Sequence, residues 1–350
     1  MRIDFLEYAA MDLPRKEPLT IARGSSTVAQ NVMVIVHSGS LLGNGSGAPT
    51  DVTGETVRSA IDAIKSIARG LEGFTFERPR EVVDKMDKIL PGNPSVKAAI
   101  DIAVHDLAAQ QASVPLHRYL GATRDRMVTD MTIGIMDTRS AVERALRWAQ
   151  AGFRALKVKI GRDPKTDLDR LRGIRGAVGP RIELRIDGNQ GYTWSQALSV
   201  ARAAKDLNIS IFEQPVATTD VEGMRVLTES SPIPIMADEM VLTPDDAKKV
   251  RWANAAKAVN LKLMKHGGVC RAIDVNTICE SAGYPTMVGC MGEPQISIAA
   301  ALAFALSQKN VRWLDLDSHF NLAEDPSSGL GFENGELVAP DRPGLGIALS

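Results

Sequence analysis

Five short apolar runs decide the fold of this chain: LKVKIG at 156–161, ELRIDGN at 183–189, SIFEQP at 210–215, IPIMADE at 233–239 and VNLKLM at 259–264. A charged residue stands at the end of each run, and these residues recur at steps of 24 to 28. Similar runs precede and follow at the same step: DMTIGI at 130–135, PTMVGC at 285–290 and RWLDLD at 312–317. One strand plus one helix fills such a period, so the spacing predicts consecutive βα units.

Eight strands at one period predict an α/β fold, a modified (β/α)7β TIM barrel, since no strong helical pattern follows the eighth run. Residues before about 125 do not share the period and predict an N-terminal α+β capping domain. We therefore expect three parts: a capping domain at 1–125, a catalytic barrel at 126–320, and a C-terminal segment at 321–350 that returns to the capping domain.

The capping domain is predicted from two strand-like runs around a polar loop, followed by three helical segments at 54–71, 79–90 and 94–112. The polar loop, residues 18–26, is a candidate lid because long loops beside a barrel mouth usually serve the site. The glycine-rich run LLGNGSGAP at 41–49 predicts a hairpin or a tight loop.

Composition excludes several classes of protein. The formal net charge of −1 and the pI of about 6.5 predict no nucleic-acid partner and no anionic membrane surface. No uncharged apolar run is long enough to span a membrane, and the N-terminus has no apolar core of a signal peptide. The three cysteines form no CxxC pair, so we expect neither disulfides nor zinc, and a cytoplasmic location.

Three acids, Asp187, Glu213 and Asp238, end successive predicted strands, and their side chains can therefore converge at the barrel mouth. Solvation of a strand end explains one such charge but not five in register. Three adjacent carboxylates repel one another unless a cation lies between them. Ligation by oxygen alone favours a hard ion, and one Mg²⁺ per chain fits best.

Lysines flank these acids in the predicted barrel. Lys157 and Lys159 point the same way from the second strand, and Lys262 comes from the sixth, roughly opposite. A lysine base requires a lowered pKa, which Lys157 and a metal would produce at Lys159. Two bases on opposite faces of one carbon predict that a proton is removed from one side and that a proton is returned from the other. The result would be inversion of configuration at that carbon. Alternatively, the lysines are only counter-ions to the acids.

Several motifs resemble those of the enolase superfamily, and within it the muconate lactonizing enzymes. They are KVK at 157–159, RIDGNQ at 185–190, FEQP at 212–215, MADE at 236–239, NLKLMKHGG at 260–268 and the helix at 98–122. The resemblance implies a barrel with a capping domain, Lys159 and Lys262 as bases with Lys157 beside them, and Mg²⁺ held by the three acids. It also implies a homo-oligomer.

The subfamily that the sequence most resembles is the dipeptide epimerases. Asp315 and Asp317 form a DxD at the end of the eighth strand, where that family holds the dipeptide's α-ammonium. The segment IARGS at 21–25 is similar to the family's substrate loop, and Thr132 stands where a substrate-contacting threonine is expected. The resemblance therefore implies inversion of the α-carbon of a dipeptide's C-terminal residue, with Arg23 suggesting an acidic residue such as Glu.

The loop after the seventh strand is assigned to the substrate pocket. Cys290 and Met291 are candidate substrate contacts, with packing favoured over a nucleophilic role for Cys290 because no histidine stands in register. Gly292 and Glu293 follow in the loop that lines the side-chain pocket, and they leave the preferred dipeptide open.

Two other functions remain possible on sequence alone. The first keeps the proton chemistry and changes the substrate: an N-acylamino acid racemase, an o-succinylbenzoate synthase or a cycloisomerase. The DxD separates these, because an acylated nitrogen has no ammonium to bind. The second is a non-catalytic, metal-stabilised barrel, which predicts the loss of a base or a metal ligand that the sequence does not show.

Overall fold

The computed structural model describes residues 1–349, and its N-terminal domain begins with a three-stranded antiparallel sheet. The strands are β1 (Phe5–Ile21), β2 (Gly24–Ser38) and β3 (Leu41–Gly47). Four helices follow: α1 (Val57–Leu71), α2 (Pro79–Ile89), α3 (Pro94–Gln111) and α4 (Leu116–Tyr119). Alternate residues of β2 are buried in a core shared with α1, α2 and α3, as expected for a sheet with one covered face.

The polar segment at 18–26 is paired strand, which corrects the expectation of a loop. Strand β1 runs to Ile21, β2 starts at Gly24, and Thr20 pairs with Ser25. Near its tip the hairpin contacts the barrel, where the carbonyl of Thr20 accepts a hydrogen bond from Ile135 N at 2.8 Å. The candidate lid is therefore the end of a long hairpin.

The glycines at 43, 45 and 47 lie in strand β3, which forms a hairpin with β2 around Gly39 and Ser40. The predicted hairpin is therefore present, but the glycines stand in its second strand and not in its turn. A Cβ atom added at Gly45 would overlap the carbonyl oxygen of Ala99 in α3, and Gly43 and Gly47 face α3 in the same way. Close approach of a helix to the strand, rather than a turn, requires these glycines.

A short strand, β4 (Arg126–Val128), leads into a barrel of eight parallel strands. They are β5 (Asp130–Ile133), β6 (Ala155–Lys159), β7 (Glu183–Asp187), β8 (Ile209–Glu213), β9 (Ile235–Ala237), β10 (Ala258–Leu261), β11 (Thr286–Gly289) and β12 (Val311–Asp315). Neighbours pair in chain order, and a parallel bridge between Thr129 and Leu314 joins the last strand to the first.

Helices connect the barrel strands. They are α5 (Thr138–Gln150), α6 (Pro164–Val178), α7 (Trp194–Ala203), α8 (Val221–Ser230), α9 (Pro244–Trp252), α10 (Leu263–His266), α11 (Val269–Ser281) and α12 (Gln295–Ser307). Between β12 and residue 349, the only helical element is a short 3₁₀ turn at Ser318–Asn321, so the predicted (β/α)7β order is confirmed.

Alternation along each strand places the polar side chains at the mouth. In β6, Leu156 and Val158 belong to the large hydrophobic core, while Lys157 and Lys159 take the other face and are also buried. A smaller cluster of Ile211, Met236, Ala258 and Met287 forms separately from that core. The charged site therefore stands on a packed scaffold.

The chain after the barrel forms short strands: β13 (Ser327–Ser328), β14 (Gly331–Glu333), β15 (Glu336–Val338) and β16 (Ala348–Leu349). Asp106 of α3 joins this tail to the N-terminal domain, since its carboxylate accepts from Leu345 N at 2.8 Å and Asn44 N at 2.9 Å. The division at residues 125 and 320 stays a prediction. Within residues 1–349, every helix is too short or too polar to cross a bilayer.

Candidate active site

Three buried acids stand at the carboxyl ends of successive strands. Asp187 and Glu213 are the last residues of β7 and β8 and are register partners, and Asp238 directly follows β9. Asp187, Glu213 and Asp238 are 0%, 1% and 0% exposed. The structure thus groups the acids on three adjacent strands, as the strand period predicts.

Lysine ammonium groups lie among these carboxylates. The Nζ atom of Lys157 is 2.7 Å from Glu213 Oε2 and 3.1 Å from Asp187 Oδ2. Lys159 Nζ lies 2.7 Å from Asp187 Oδ2, and Lys262 Nζ lies 2.7 Å from Asp238 Oδ2. The two predicted bases therefore approach the acids from opposite ends of the β7–β9 row.

The acids differ in their affinity for protons. Burial raises the pKa of Asp187, but Lys159 and Lys157 outweigh burial and lower that pKa to about 2. Burial and the neighbouring charge of Asp187 raise the pKa of Glu213 to about 8, even though Lys157 opposes them. Positive charge is therefore insufficient to keep all the acids ionised at neutral pH, which favours an additional cation.

The lowered lysine pKa expected of a base is not found at Lys262. Burial lowers the pKa of Lys262, but Asp238 and Glu213 raise it by more, so the ammonium form is favoured. Burial also lowers the pKa of Lys157, but the charges of Asp315, Glu213 and Asp187 outweigh burial and raise that pKa well above its usual value. A lysine here can act as a base only when another cation takes up the charge of the acids.

The surrounding donors fit a hard divalent cation. Buried oxygen atoms of Asn189, Glu239 and Asn260 have no hydrogen-bond partner, and Asn260 Nδ2 donates to Glu213 Oε1 at 2.9 Å. These unpartnered atoms are all oxygens, the ligand type that Mg²⁺ prefers. Two groups of possible metal ligands within residues 1–349 place their ligand atoms within 4.8 Å of one another: Asp130–Asp315–Asp317 and Asp101–His105–Cys270. The predicted trio of Asp187, Glu213 and Asp238 is not one of them, and its carboxylates contact lysines instead.

Most of the predicted substrate residues line one cavity of about 60 Å³ at the mouth. They share it with Lys159 and are Thr132, Cys290, Met291, Asp315 and Asp317. Asp317 Oδ2 accepts from the backbone N–H of Thr132 at 2.6 Å. Burial and Asp317 raise the pKa of the Cys290 thiol, which argues against a nucleophile.

Arg23 does not line this cavity. It lies at the hairpin tip, 31% exposed, with Nη1 2.9 Å from Asp51 Oδ2 and Nη2 3.6 Å from Glu239 Oε1. Arg23 contributes instead to a neighbouring pocket, together with Met291 and Gly292. A substrate carboxylate would have to displace these acids from Arg23.

Sequence reasoning missed several residues of the site. Lys265 in α10 is fully enclosed, and its Nζ lies 2.7 Å from Asp238 Oδ1; its position three residues after Lys262, on one helical turn, could have indicated it. His266 in α10 is buried, and its Nδ1–H donates to the carbonyl oxygen of Leu242 at 2.9 Å. Arg15 lines the cavity from β1, and no pattern in the sequence marks it.

Two family matches cover most of the chain. Residues 7–121 match the N-terminal domain of mandelate racemase and muconate lactonizing enzyme, and residues 140–350 match the enolase C-terminal domain-like family. The chain therefore belongs to the mandelate racemase/muconate lactonizing enzyme group of the enolase superfamily, and the predicted membership is confirmed.

Curated relatives match over nearly the full length. The chain is 35% identical to the L-Ala-D/L-Glu epimerase of Clostridium acetobutylicum, covering 96% of each chain. It is 37% identical to the hydrophobic dipeptide epimerase of Enterococcus faecalis, covering 99% of this chain and 100% of the relative. The crystal structure of the dipeptide epimerase from Enterococcus faecalis, complexed with Mg and L-Leu-L-Tyr, superposes with a TM-score of 0.96 at 36% identity, over 99% and 100% of the two chains. These relatives are isomerases.

Proposed function

We propose that this chain is a Mg²⁺-dependent dipeptide epimerase that inverts the α-carbon of the C-terminal residue. The observation that carries the proposal is the placement of Lys159 and Lys262 at opposite ends of the row of acids on β7–β9. Relatives of several dipeptide specificities support the same reaction class.

Asp187, Glu213 and Asp238 would hold the Mg²⁺, which supplies a Lewis acid for the substrate carboxylate. With the charge of the acids taken up, Lys159 or Lys262 exists as the amine, removes the α-proton and becomes an ammonium. The lysine on the other side donates a proton to the opposite face of the enediolate. One proton leaves and one returns, so the reaction is balanced.

Lys157 has a different role in this scheme. It is 1% exposed and contacts Asp187, Glu213 and Asp315, so it is held as a fixed ammonium rather than exchanging protons. A fixed positive charge beside the reacting carboxylate stabilises negative charge as it develops.

Asp315 and Asp317 would bind the α-ammonium of the dipeptide. Lys157 pairs with Asp315, whereas burial and the charge of Asp315 raise the pKa of Asp317, which indicates that Asp317 lacks a counter-charge of its own. An ammonium group in the cavity would provide it through charge-assisted hydrogen bonds. This favours a free dipeptide over an N-acylamino acid. Thr132, Cys290 and Met291 would complete the wall of that cavity.

The test compares Ala-Glu with N-acetyl-Glu, and with a cationic and a hydrophobic dipeptide, in deuterated water. Wild type should epimerise dipeptides, and acetylation should lower kcat/KM about ten- to a hundredfold, the cost of one lost charged hydrogen-bond partner. Asp317→Asn should reduce that difference. Equal rates on the free and acetylated compounds would identify an acylamino-acid racemase instead.

Assembly into a homo-oligomer, a cytoplasmic location and an acidic C-terminal residue bound by Arg23 stay predictions. Size-exclusion chromatography with light scattering tests the first. The Ala-Glu comparison on Arg23→Met tests the third.

A further inference from the structure

Arg15 is a cation in the mouth cavity that the proposed mechanism does not use. It lies where the β1–β2 register shifts, between Pro14 and Leu19, so this part of β1 departs from regular pairing. Arg15 lines the cavity together with barrel residues that include Thr132 and Asp317. Gly292 provides the room, because a Cβ atom there would lie 2.5 Å from Arg15 Nη2.

The charge of Arg15 is not balanced within residues 1–349. Its Nε atom is buried without a hydrogen-bond partner, and no carboxylate lies within ion-pair distance of the guanidinium. The other two cations of the cavity are paired: Arg144 with Glu17 at 2.6 Å and Lys159 with Asp187 at 2.7 Å. Burial lowers the pKa of Arg15, and Asp317 only partly opposes this. An anion from outside the protein would remove this cost.

Among the acids of the cavity, Glu17 pairs with Arg144 and Asp315 pairs with Lys157. Within residues 1–349, Asp317 and Arg15 are left as one acid and one cation without an ion-pair partner. On the proposed function, Asp317 takes the α-ammonium of the N-terminal residue. A carboxylate on that same residue's side chain is the anion that Arg15 can reach from within the same cavity. We propose that Arg15 makes this enzyme prefer dipeptides whose N-terminal residue is acidic, aspartate or glutamate. This inference rests on the proposed function.

The experiment compares kcat/KM for Asp-Ala, Asn-Ala and Ala-Ala, because Asp and Asn side chains differ in charge but hardly in size. Wild type should prefer Asp-Ala over Asn-Ala by about tenfold or more. Arg15→Met should bring that ratio close to one, and Arg15→Lys should restore part of it. Lys16→Met is the matched control, since it removes a charge from the next residue, which is exposed, and the ratio should persist.

The outcomes separate the two proposals. Turnover of Ala-Ala with equal rates for Asp-Ala and Asn-Ala would overturn the role of Arg15 and leave the epimerase intact. No α-proton exchange with any dipeptide would overturn both. If Arg15→Met fails to fold by circular dichroism, the wild-type ratio still decides. A preference for Ala-Asp over Ala-Asn that disappears in Arg15→Met would assign Arg15 to the C-terminal residue and also overturn the proposal.

Discussion

The Nζ atom of Lys157 lies 2.7 Å from Oδ2 of Asp315, joining the second barrel strand to the eighth. The same ammonium contacts Glu213, so one buried cation holds acids from two sides of the mouth. Lys157→Met leaves those acids uncompensated and should lower the free energy of unfolding by about 3–5 kcal/mol. Urea denaturation measures this change in the free energy of unfolding. Lys65→Met, at an exposed pair with Asp62, should change the stability by less than about 1 kcal/mol.

Removal of one proposed metal ligand should weaken Mg²⁺ binding. Glu213→Gln is expected to lower the affinity for Mg²⁺ in a calorimetric titration and to abolish turnover. In wild type, Mg²⁺ at a hundred times its Kd should raise the free energy of unfolding by about 2.7 kcal/mol. Glu222→Gln, on the exposed surface of α8, is the control. Full activity after exhaustive chelation would contradict the metal site.

Loss of one base should separate proton exchange from epimerisation. Lys159→Ala should stop interconversion, while Lys262 still exchanges the α-proton of one epimer with solvent deuterium. Proton NMR in deuterated water follows both processes at once. Lys165→Ala, in the first turn of α6, should behave as wild type. If Lys159→Ala interconverted both epimers at the normal rate, a two-base mechanism would be wrong.

Contact between the two domains should depend on pH through Asp274. Arg80 of α2 donates to Asp274 of α11 at 2.6 and 2.7 Å. Burial raises the pKa of Asp274, but the hydrogen bonds from Arg80 and Arg271 outweigh it, so the pKa is lowered on folding. The ionised Asp274 carboxylate therefore stabilises the fold at pH values above its unfolded pKa, near 4. This stabilisation is lost as the pH falls through the lower pKa of the folded state. In urea denaturation at pH 7, the free energy of unfolding of wild type should exceed that of Asp274→Asn by about 1 kcal/mol. This difference should shrink below pH 4. A difference that grew on acidification would contradict this assignment.

The barrel was predictable because a strand period is a local property of the sequence, and charges at strand ends stand out against apolar runs. Asp187, Glu213 and Asp238 could be placed together for that reason. Gly45 could not be interpreted, because the same residue type permits a turn or the close approach of a helix, and only the position of Ala99 decides. Arg15 was missed because its place in the cavity depends on a register shift and on a domain far along the chain.

The return of the tail limits how proteins of this kind can acquire new substrates. Ala323 N donates to Pro14 O at 2.8 Å, and Leu345 N donates to Asp106, so the last segment is bonded to the first domain in two places. Exchange of one domain by recombination, without the other, would leave the groups that form these hydrogen bonds without their partners. We expect specificity in this group to diverge by single substitutions at the hairpin and the strand ends, and a domain chimera to require its own matched tail.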